Sequence, residues 1–394
     1  MRMERVVERV AVTGAEAVAN AMRQIEPDVV AAYPITPQTP IVEYFARFVA
    51  DGVVRTEMIP VESEHSAMSA VVGAAAAGAR AMTATSANGL ALMHEIVYIA
   101  ASYRLPIVMP VVNRALSGPI NIHCDHSDAM AERDSGWIQL FAETNQEAYD
   151  FTILAVRLAE HEDVRLPVMV NLDGFILSHG VEPVEFYPDE LVKKFVGELK
   201  PMYPLLDTEH PVTWGPLDLY DYYFEHKRQQ IEAMENVKKV FPEIAKEFEE
   251  TFGRKYWFVE PYRMEDAEHV MVALGSTNST IKYVVDELRE EGYKVGSLKI
   301  WMFRPFPKEQ LQELLNGRKS VVVLDRAVSF GAEAPLYEAV KSALYEVAAR
   351  PMLGSYVYGL GGRDIKPEHI RKVFEDAING NLIADEQRYL GLRE

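Results

Sequence analysis

Cysteine is nearly missing from this sequence: Cys124 is the single one in 394 residues. One thiol cannot form an internal disulfide, and it cannot hold an iron–sulfur cluster, which takes about four thiolates. If the protein works with such clusters, they must therefore lie on another chain.

Long apolar runs are also missing. No stretch approaches the roughly 18 continuous apolar residues of a transmembrane helix. The N-terminal MRMERVVERV carries charges throughout and has no apolar core, so it does not resemble a signal peptide. We therefore expect a cytoplasmic protein that does not use a membrane.

Basic residues are in deficit, with 40 Lys and Arg against 59 Asp and Glu and a formal net charge of −19. This balance argues against nucleic acid and anionic lipid as partners. Intact phosphate-binding loops are absent too, because GLGG at 359–362 lacks the dinucleotide fingerprint and the glycines within 73–78 lack a following Lys-Ser/Thr. A plain nucleotide-binding protein is therefore disfavoured.

What the chain does have is a regular alternation of apolar strands and helices. Strands are predicted at 28–35, 56–60, 80–85, 105–113 and 166–172, with helices between them. Continuous apolar strands that alternate with helices are typical of a parallel, doubly wound α/β sheet covered on both faces.

The alternation is interrupted once. Residues 181–260 are rich in proline, tyrosine and charge and contain one long polar helix near 220–252, which indicates a connecting segment. The rhythm then restarts, with one strand predicted over 294–303 (KVGSLKIWMF). We predict one α/β domain over 1–180 and a second, smaller one over 261–394.

Polar residues follow the predicted strands at their carboxyl ends, where ligands collect in open parallel sheets. Thr36 and Arg114 each follow a strand, and Glu64 opens an otherwise apolar helix. A buried, unpaired carboxylate costs several kcal/mol, so Glu64 needs a structural partner or a ligand. Spacing alone leaves both interpretations open: Thr36 can shape a turn before proline, and Arg114 can simply pair with Glu64.

The cluster from His123 to Asp128 (HCDHSD) contains metal-ligand residue types. It reads as a loop, however, and a polar wall or lid of a site is favoured over a bound metal. We predict no metal ligands on this chain.

Several motifs in a fixed order carry a family resemblance. They are YPITP, SEHSA to TSANGL, RLPIVMPVVNRALSGPINIHCDHSD, RDSGWIQLFAETNQEAYD, RPFP and YGLGGRD. Together they resemble the alpha subunit of pyruvate:ferredoxin (or flavodoxin) oxidoreductase, from about residue 10 to the C-terminus. The resemblance implies a thiamine-diphosphate pyrimidine-type domain followed by a domain like the C-terminal domain of transketolase.

By the same resemblance, the reaction is the oxidative decarboxylation of a 2-oxo acid on thiamine diphosphate, with coenzyme A as co-substrate. The beta subunit shares the cofactor, gamma and delta subunits complete the complex, and ferredoxin or flavodoxin accepts the electrons. Magnesium and [4Fe-4S] clusters are expected on partner subunits. The sequence agrees, because its nearest match to a Gly-Asp-Gly magnesium segment, Leu172-Asp173-Gly174, lacks the first glycine and has no Asn about thirty residues on.

The resemblance also implies residue roles. Glu64 is expected to hydrogen-bond the pyrimidine N1′ of the cofactor and so favour the tautomer that deprotonates thiazolium C2. Arg114 is expected to pair with the substrate carboxylate and Thr36 to donate a hydroxyl hydrogen bond to the substrate. Pro34 and Ile35 are expected to contact the cofactor.

Two alternatives stay open. The first is the same chemistry on a branched-chain, aryl or 2-oxoglutarate substrate. The loop 117–128 is expected to shape the substrate pocket, and pyruvate is favoured only because the sequence of this loop resembles that of pyruvate enzymes. A non-catalytic scaffold subunit ranks lower. Glu62 and His65 have no assigned role and are expected to make ordinary polar contacts.

Overall fold

The computed structural model of the protein describes residues 8–384 and 386–393. The elements of its first half are, in chain order, β1 (Glu8–Thr13), α1 (Gly14–Ile25), β2 (Val29–Ala32), α2 (Thr39–Ala50), β3 (Glu57–Pro60), α3 (Glu64–Ala77), β4 (Ala81–Met82), α4 (Ala87–Ser102), β5 (Val108–Asn113), α5 (Ser127–Ala131), β6 (Ile138–Phe141), α6 (Asn145–Ala159) and β7 (Val168–Asp173).

The second half continues with β8 (Val181–Phe186), α7 (Asp189–Val196), α8 (Tyr223–Phe252), β9 (Val259–Tyr262), β10 (His269–Ala273), α9 (Thr277–Glu290), β11 (Val295–Ile300), β12 (Met302–Arg304), α10 (Lys308–Leu315), β13 (Ser320–Asp325), α11 (Pro335–Leu344), β14 (Met352–Tyr358), a 3-10 turn (Leu360–Gly362), α12 (Pro367–Ile378) and β15 (Gln387–Leu390).

The first sheet has seven strands in the order β12-β6-β7-β5-β4-β2-β3, all parallel except β12. Side chains alternate along β5: Val108 and Val112 belong to the core cluster that also contains residues of α1, α2 and α6, whereas Met109 and Val111 belong to the cluster that contains residues of α3 and α4. Successive side chains of a strand point to opposite faces of the sheet. A strand that is buried on both faces must therefore be apolar at nearly every position. The predicted doubly wound parallel α/β sheet is confirmed.

The second sheet has six strands in the order β15-β14-β13-β10-β11-β9, parallel except for the edge strand β9. One face packs against α9 and α12 through residues such as Ile281 and Ile370. The other face packs against α10 and α11, and its side chains join the same core cluster that fills the first unit.

The strand predicted over 294–303 is wrong as a single element. The chain breaks at Trp301, so that β11 belongs to the second sheet while β12 crosses to the first and pairs antiparallel with β6. Both Trp301 N and Met302 N donate to the carbonyl of Phe258, which fixes the change of direction. The sequence cannot show that β11 and β12 join different sheets, because both strands are buried and both are therefore mostly apolar.

The middle of the chain, from β8 to α8, packs against the elements around the first sheet. β8 pairs antiparallel with β1, and α7 contacts α1 and α6. The long helix predicted near 220–252 is confirmed as α8, whose apolar stripe, including Val237, Phe241 and Phe248, is buried. Among the described residues, no helix has both the length and the apolar composition needed to cross a bilayer.

Candidate active site

Glu64 lies in the first turn of α3. Ser63 caps this helix, its hydroxyl accepting a hydrogen bond from Ser66 N at 3.2 Å, and a first-turn carboxylate also suits the helix dipole. Glu64 is only 7% exposed. In the part of the chain that the structure describes, no group forms a hydrogen bond or ion pair with its carboxylate. Glu64 is therefore a buried carboxylate that still lacks a polar partner.

The first turn of α4 lies next to Glu64. A Cβ built on Gly89 would come within 2.7 Å of Glu64 Oε1 and within 2.5 Å of Thr85 Oγ1, so the carboxylate and the Thr85 hydroxyl both lie close against Gly89. The hydroxyls of Thr85 and Ser86 are buried and have no hydrogen-bond partner. Buried polar groups are seldom left unsatisfied, so these hydroxyls have hydrogen-bonding capacity left for a polar ligand or water.

Arg114 follows β5 and is almost fully buried. Its Nε donates to the carbonyl of Asn121 at 3.0 Å, and its Nη1 donates to the carbonyl of Thr36 at 2.9 Å. Within the described residues, the guanidinium forms no ion pair with Glu64. The structure therefore does not pair Arg114 with Glu64, and the guanidinium contacts that it does show are with two backbone carbonyls.

Thr36 lies in the loop that follows β2, and its peptide bond to Pro37 is cis. Its side chain is exposed, while its carbonyl holds Arg114. Pro34 is exposed and Ile35 is half-buried in the same loop, where Ile35 N donates to Gln38 Oε1 at 3.2 Å. The structure thus joins Thr36 to Arg114, and cofactor contact by Pro34 and Ile35 stays a prediction.

Asp128 connects the two sides of this region, and sequence reasoning missed that role. Its Oδ2 accepts from Arg114 N and from Ala87 N, both at 3.0 Å, and its Oδ1 accepts from Asn113 Nδ2 and Ala129 N. Burial raises the pKa of Asp128 to about 6, although these donors oppose the shift. Ala87 has a positive φ of 40°, a strained value for a residue with a Cβ. Asp128 therefore holds the first residue of α4 and the backbone of Arg114 in a fixed relation.

Glu62 and His65 make the surface contacts expected of them. The Glu62 carboxylate accepts a hydrogen bond from the Ser66 hydroxyl, and His65 Nε2 lies 3.6 Å from Glu95 Oε2.

A second polar cluster joins the carboxyl ends of the two sheets. Asp173, the last residue of β7, contacts His126 Nε2 at 2.7 Å and accepts from Arg326 Nη1 at 2.8 Å and from Ser276 N at 3.1 Å. Burial by itself would raise the pKa of Asp173, but His126 and Arg326 hold it well below its usual range. Asp173 is thus an ionised anchor between the two units.

The same cluster contains the residue types of a metal site. Ligand atoms of Cys124, His126 and Asp173 lie within 4.8 Å of one another. However, Arg326 Nη1 lies 3.7 Å from Cys124 Sγ as well as beside Asp173, so a guanidinium supplies the positive charge here. Burial also raises the pKa of the Cys124 thiol well above its usual value, which disfavours the thiolate that a metal needs.

The arrangement as a whole offers three kinds of chemistry at one sheet edge. Glu64 can accept or share a proton with a ring nitrogen, Arg114 can bind a carboxylate, and the Thr36 hydroxyl can donate to a carbonyl or hydroxyl. These residues fit the pyrimidine half of a thiamine diphosphate site, because a buried carboxylate without a polar partner lies beside the same glycine as the unpartnered Thr85 hydroxyl.

Two family models match this chain. The family described as pyruvate flavodoxin/ferredoxin oxidoreductase, thiamine diP-binding, matches residues 20–246, and pyruvate:ferredoxin oxidoreductase core domain II matches residues 267–370.

Two curated relatives are similar over nearly their whole length. Pyruvate synthase subunit PorA of Methanocaldococcus jannaschii is 50% identical over 394 residues, which is 100% of both chains. Ketoisovalerate oxidoreductase subunit VorA of Pyrococcus horikoshii is 48% identical over 366 residues, covering 93% of this chain and 92% of that one.

Two solved structures share the fold. A 2-oxoglutarate:ferredoxin oxidoreductase from Magnetococcus marinus, with 2-oxoglutarate, coenzyme A and succinyl-CoA bound, superposes with a TM-score of 0.74 at 22% identity. The match covers 94% of this chain and 65% of that one. A split-gene transketolase, an inactive beta4 tetramer, superposes with a TM-score of 0.57 at 14% identity over 94% and 99% of the two chains. The fold predicted from the motifs is confirmed, and the chain belongs to the pyruvate flavodoxin/ferredoxin oxidoreductase family.

Proposed function

We propose that this chain is the alpha subunit of a multi-chain enzyme that converts pyruvate and coenzyme A to acetyl-CoA and CO2, reversibly, with ferredoxin or flavodoxin as electron acceptor. The observation that carries the proposal is Glu64, a buried carboxylate without a protein partner, beside the orphan hydroxyls at the start of α4. The full-length similarity to a pyruvate synthase subunit supports the same choice of substrate.

Thiamine diphosphate, when bound, supplies the carbanion chemistry at its thiazolium C2. Glu64 is the residue that would hydrogen-bond the pyrimidine N1′, and the apolar body of α3 keeps water from this carboxylate. Pro34 and Ile35 would lie against the cofactor from the loop after β2. The chain's own task here is to hold a proton at N1′ in a dry pocket.

Arg114 binds the substrate carboxylate in this proposal. Two of its nitrogens are already fixed by the carbonyls of Asn121 and Thr36, so its orientation is set before substrate arrives. The hydroxyl of Thr36, an exposed residue in the loop after β2, donates a hydrogen bond to the substrate.

Partner chains supply the remaining parts. Asp173, in the one segment that approaches a magnesium motif, is already committed to His126, Arg326 and Ser276. In this proposal a beta subunit holds magnesium and the diphosphate, and partner chains carry the [4Fe-4S] clusters, with gamma and delta subunits completing the complex. The single cysteine of this chain, too few for a cluster, supports that division.

A substrate panel tests the proposal. The complex purified through a tag on this chain should contain iron and thiamine diphosphate and should turn over pyruvate faster than 2-oxoisovalerate, 2-oxoglutarate or phenylglyoxylate. The isolated chain should bind thiamine diphosphate weakly, because it holds only the pyrimidine side. Tight, magnesium-dependent binding by the isolated chain would contradict the shared site.

The second candidate is the same chemistry on 2-oxoisovalerate. The specific observation in its favour is the 48% identity to a ketoisovalerate oxidoreductase subunit. A higher kcat/KM for 2-oxoisovalerate than for pyruvate in the same panel would select it.

A further inference from the structure

The loop between Arg114 and α5 is held by the second half of the chain. Its residue Asn121 donates from Nδ2 to the carbonyl of Gly361 at 3.0 Å, in the turn that follows β14. Gly361 N lies 3.3 Å from Asp125 Oδ2, and Gly362 N donates to the carbonyl of Cys124 at 2.7 Å. The Gly359–Gly362 turn thus forms three hydrogen bonds with the loop.

Glycine is required in this turn for two reasons. Gly361 and Gly362 have φ values of 59° and 78°, in the left-handed region. A Cβ at Gly361 would also lie 2.4 Å from Asn121 Nδ2, and one at Gly362 would lie 2.4 Å from His123 Cβ. No side chain fits between the turn and the loop.

Asn121 connects the Gly359–Gly362 turn to Arg114. Its side chain binds Gly361, and its own carbonyl accepts the hydrogen bond from Arg114 Nε. We propose that Asn121 and Gly361 are positioning residues that aim the Arg114 guanidinium at the substrate carboxylate. The inference rests on the proposed function and extends it: affinity for the 2-oxo acid depends on a turn in the other half of the chain.

Gly361→Ala and Asn121→Ala in the assembled complex test this. Each should raise KM for the 2-oxo acid about tenfold while kcat at saturation changes less than about threefold. Exchange of the thiazolium C2 proton of the bound cofactor should stay at the wild-type rate, because it depends on Glu64 and not on Arg114. Gly380→Ala is the matched control, since Gly380 has a φ of 71° with nothing within 4 Å of an added Cβ.

An unchanged KM in Asn121→Ala, or an equal rise of KM in Gly380→Ala, would overturn the positioning role. The milder Asn121→Ala variant decides the matter if Gly361→Ala does not fold. A wild-type complex that turns over no 2-oxo acid would instead refute the proposed function, so the two failures are distinguishable.

A separate observation concerns the segment between α7 and α8. Residues 202–224, called here the arm, carry ten large apolar side chains that are 41–91% exposed: Met202, Tyr203, Leu205, Leu206, Leu217, Leu219, Tyr220, Tyr222, Tyr223 and Phe224. A soluble protein rarely exposes so much apolar surface in one place unless it binds another protein there. Tyrosine, phenylalanine and methionine are also the residue types enriched in interfaces.

The arm is anchored to the folded body. Leu205 N donates to the carbonyl of Ala76 at the end of α3, and the Trp214 ring packs edge-on against Tyr103 just after α4. Trp214 Nε1 further donates to the carbonyl of Tyr203. These contacts fix residues 203–214 of the arm on the ends of α3 and α4, and a segment held in place loses less conformational entropy when it binds.

The charge of the arm identifies the kind of partner. It contains Asp207, Glu209, Asp218 and Asp221 and no Lys or Arg, in a chain of net charge −19. A second copy would bring further negative charge. We infer that the arm docks onto another subunit of the complex through an apolar surface flanked by Lys and Arg.

The test uses the co-expressed complex with a tag on this chain. The triple variant Leu217→Ser, Leu219→Ser, Tyr220→Ser should lose one other subunit from the purified complex, detected by native mass spectrometry, while the variant chain alone keeps its wild-type Tm. The matched control replaces three exposed apolar residues elsewhere, Val53, Phe330 and Tyr345, by serine and should keep every subunit.

A full set of subunits in the arm variant would overturn the inference. So would a wild-type isolated chain that dimerises in sedimentation while the arm variant stays monomeric, because the occupant would then be a second copy. Pyruvate turnover by the wild-type complex is measured in parallel and bears on the proposed function alone.

Discussion

The Glu64 carboxylate lies directly against Gly89: a Cβ added at position 89 would sit 2.7 Å from Glu64 Oε1 and 2.9 Å from Glu64 Cγ. α3 and α4 approach each other here so closely that no side chain fits between them. The carboxylate can therefore occupy this position only because residue 89 of α4 is a glycine, without a side chain.

Gly89→Ala should displace Glu64 and lower kcat of the complex at least tenfold, because an N1′ hydrogen bond needs the carboxylate in one place. Gly73→Ala is the control within α3, where an added Cβ meets nothing within 4 Å. That change should preserve kcat and stabilise the helix by about 0.5–1 kcal/mol. Equal kcat in both variants would show that Glu64 needs no such support.

Glu64→Gln should reduce turnover by orders of magnitude while the complex still assembles, because an amide keeps the shape but cannot share a proton with N1′. The rate of C2 proton exchange in the bound cofactor reports the effect directly. Glu62→Gln, two residues away and on the surface, should leave that rate unchanged. Near-normal exchange in Glu64→Gln would remove Glu64 from its proposed role.

Arg114→Lys should raise KM for the 2-oxo acid by roughly ten- to a hundredfold, which corresponds to about 1–3 kcal/mol. A lysine keeps the charge but cannot bind Asn121, Thr36 and a carboxylate together. Steady-state kinetics and Tm are measured on the same variant, with Arg55→Lys, exposed at the surface, as control. A lower Tm with unchanged kinetics would assign the substrate carboxylate to another residue.

Asp128 should make stability depend on pH. Burial raises its pKa from 3.8 to about 6 in the folded state. Because the folded-state pKa is the higher one, its contribution to the free energy of unfolding is complete below pH 4 and is lost as the pH rises through 6. The loss amounts to about 3 kcal/mol.

Asp128→Asn cannot titrate, so denaturant unfolding at pH 4 and pH 7 should show the difference in stability between wild type and variant shifting by about 2 kcal/mol in favour of the variant. Asp51→Asn, which removes an exposed carboxylate, is the control. Parallel pH profiles for wild type and Asp128→Asn would mean that Asp128 does not carry this dependence.

The sequence alone was sufficient for the fold class, because buried parallel strands must be apolar on both faces and alternate with helices. It also located Glu64, Thr36 and Arg114 at carboxyl ends of strands, since ligand-binding residues in such sheets lie at that edge. The single cysteine and the broken magnesium motif were equally readable, because they depend only on which residues are present.

Only the tertiary structure decided which distant residues meet. The HCDHSD pattern predicts only a polar loop, yet its Asp128 joins Arg114 to the start of α4. GLGG carries no nucleotide-binding fingerprint, yet its Gly361 accepts a hydrogen bond from Asn121 in the loop that holds Arg114. The strand at 294–303 divides between two sheets because each half finds a different partner across space. Composition and spacing show which chemistry each residue can perform. Hydrogen bonds between residues 14 to 240 positions apart form only when the chain has packed into one arrangement.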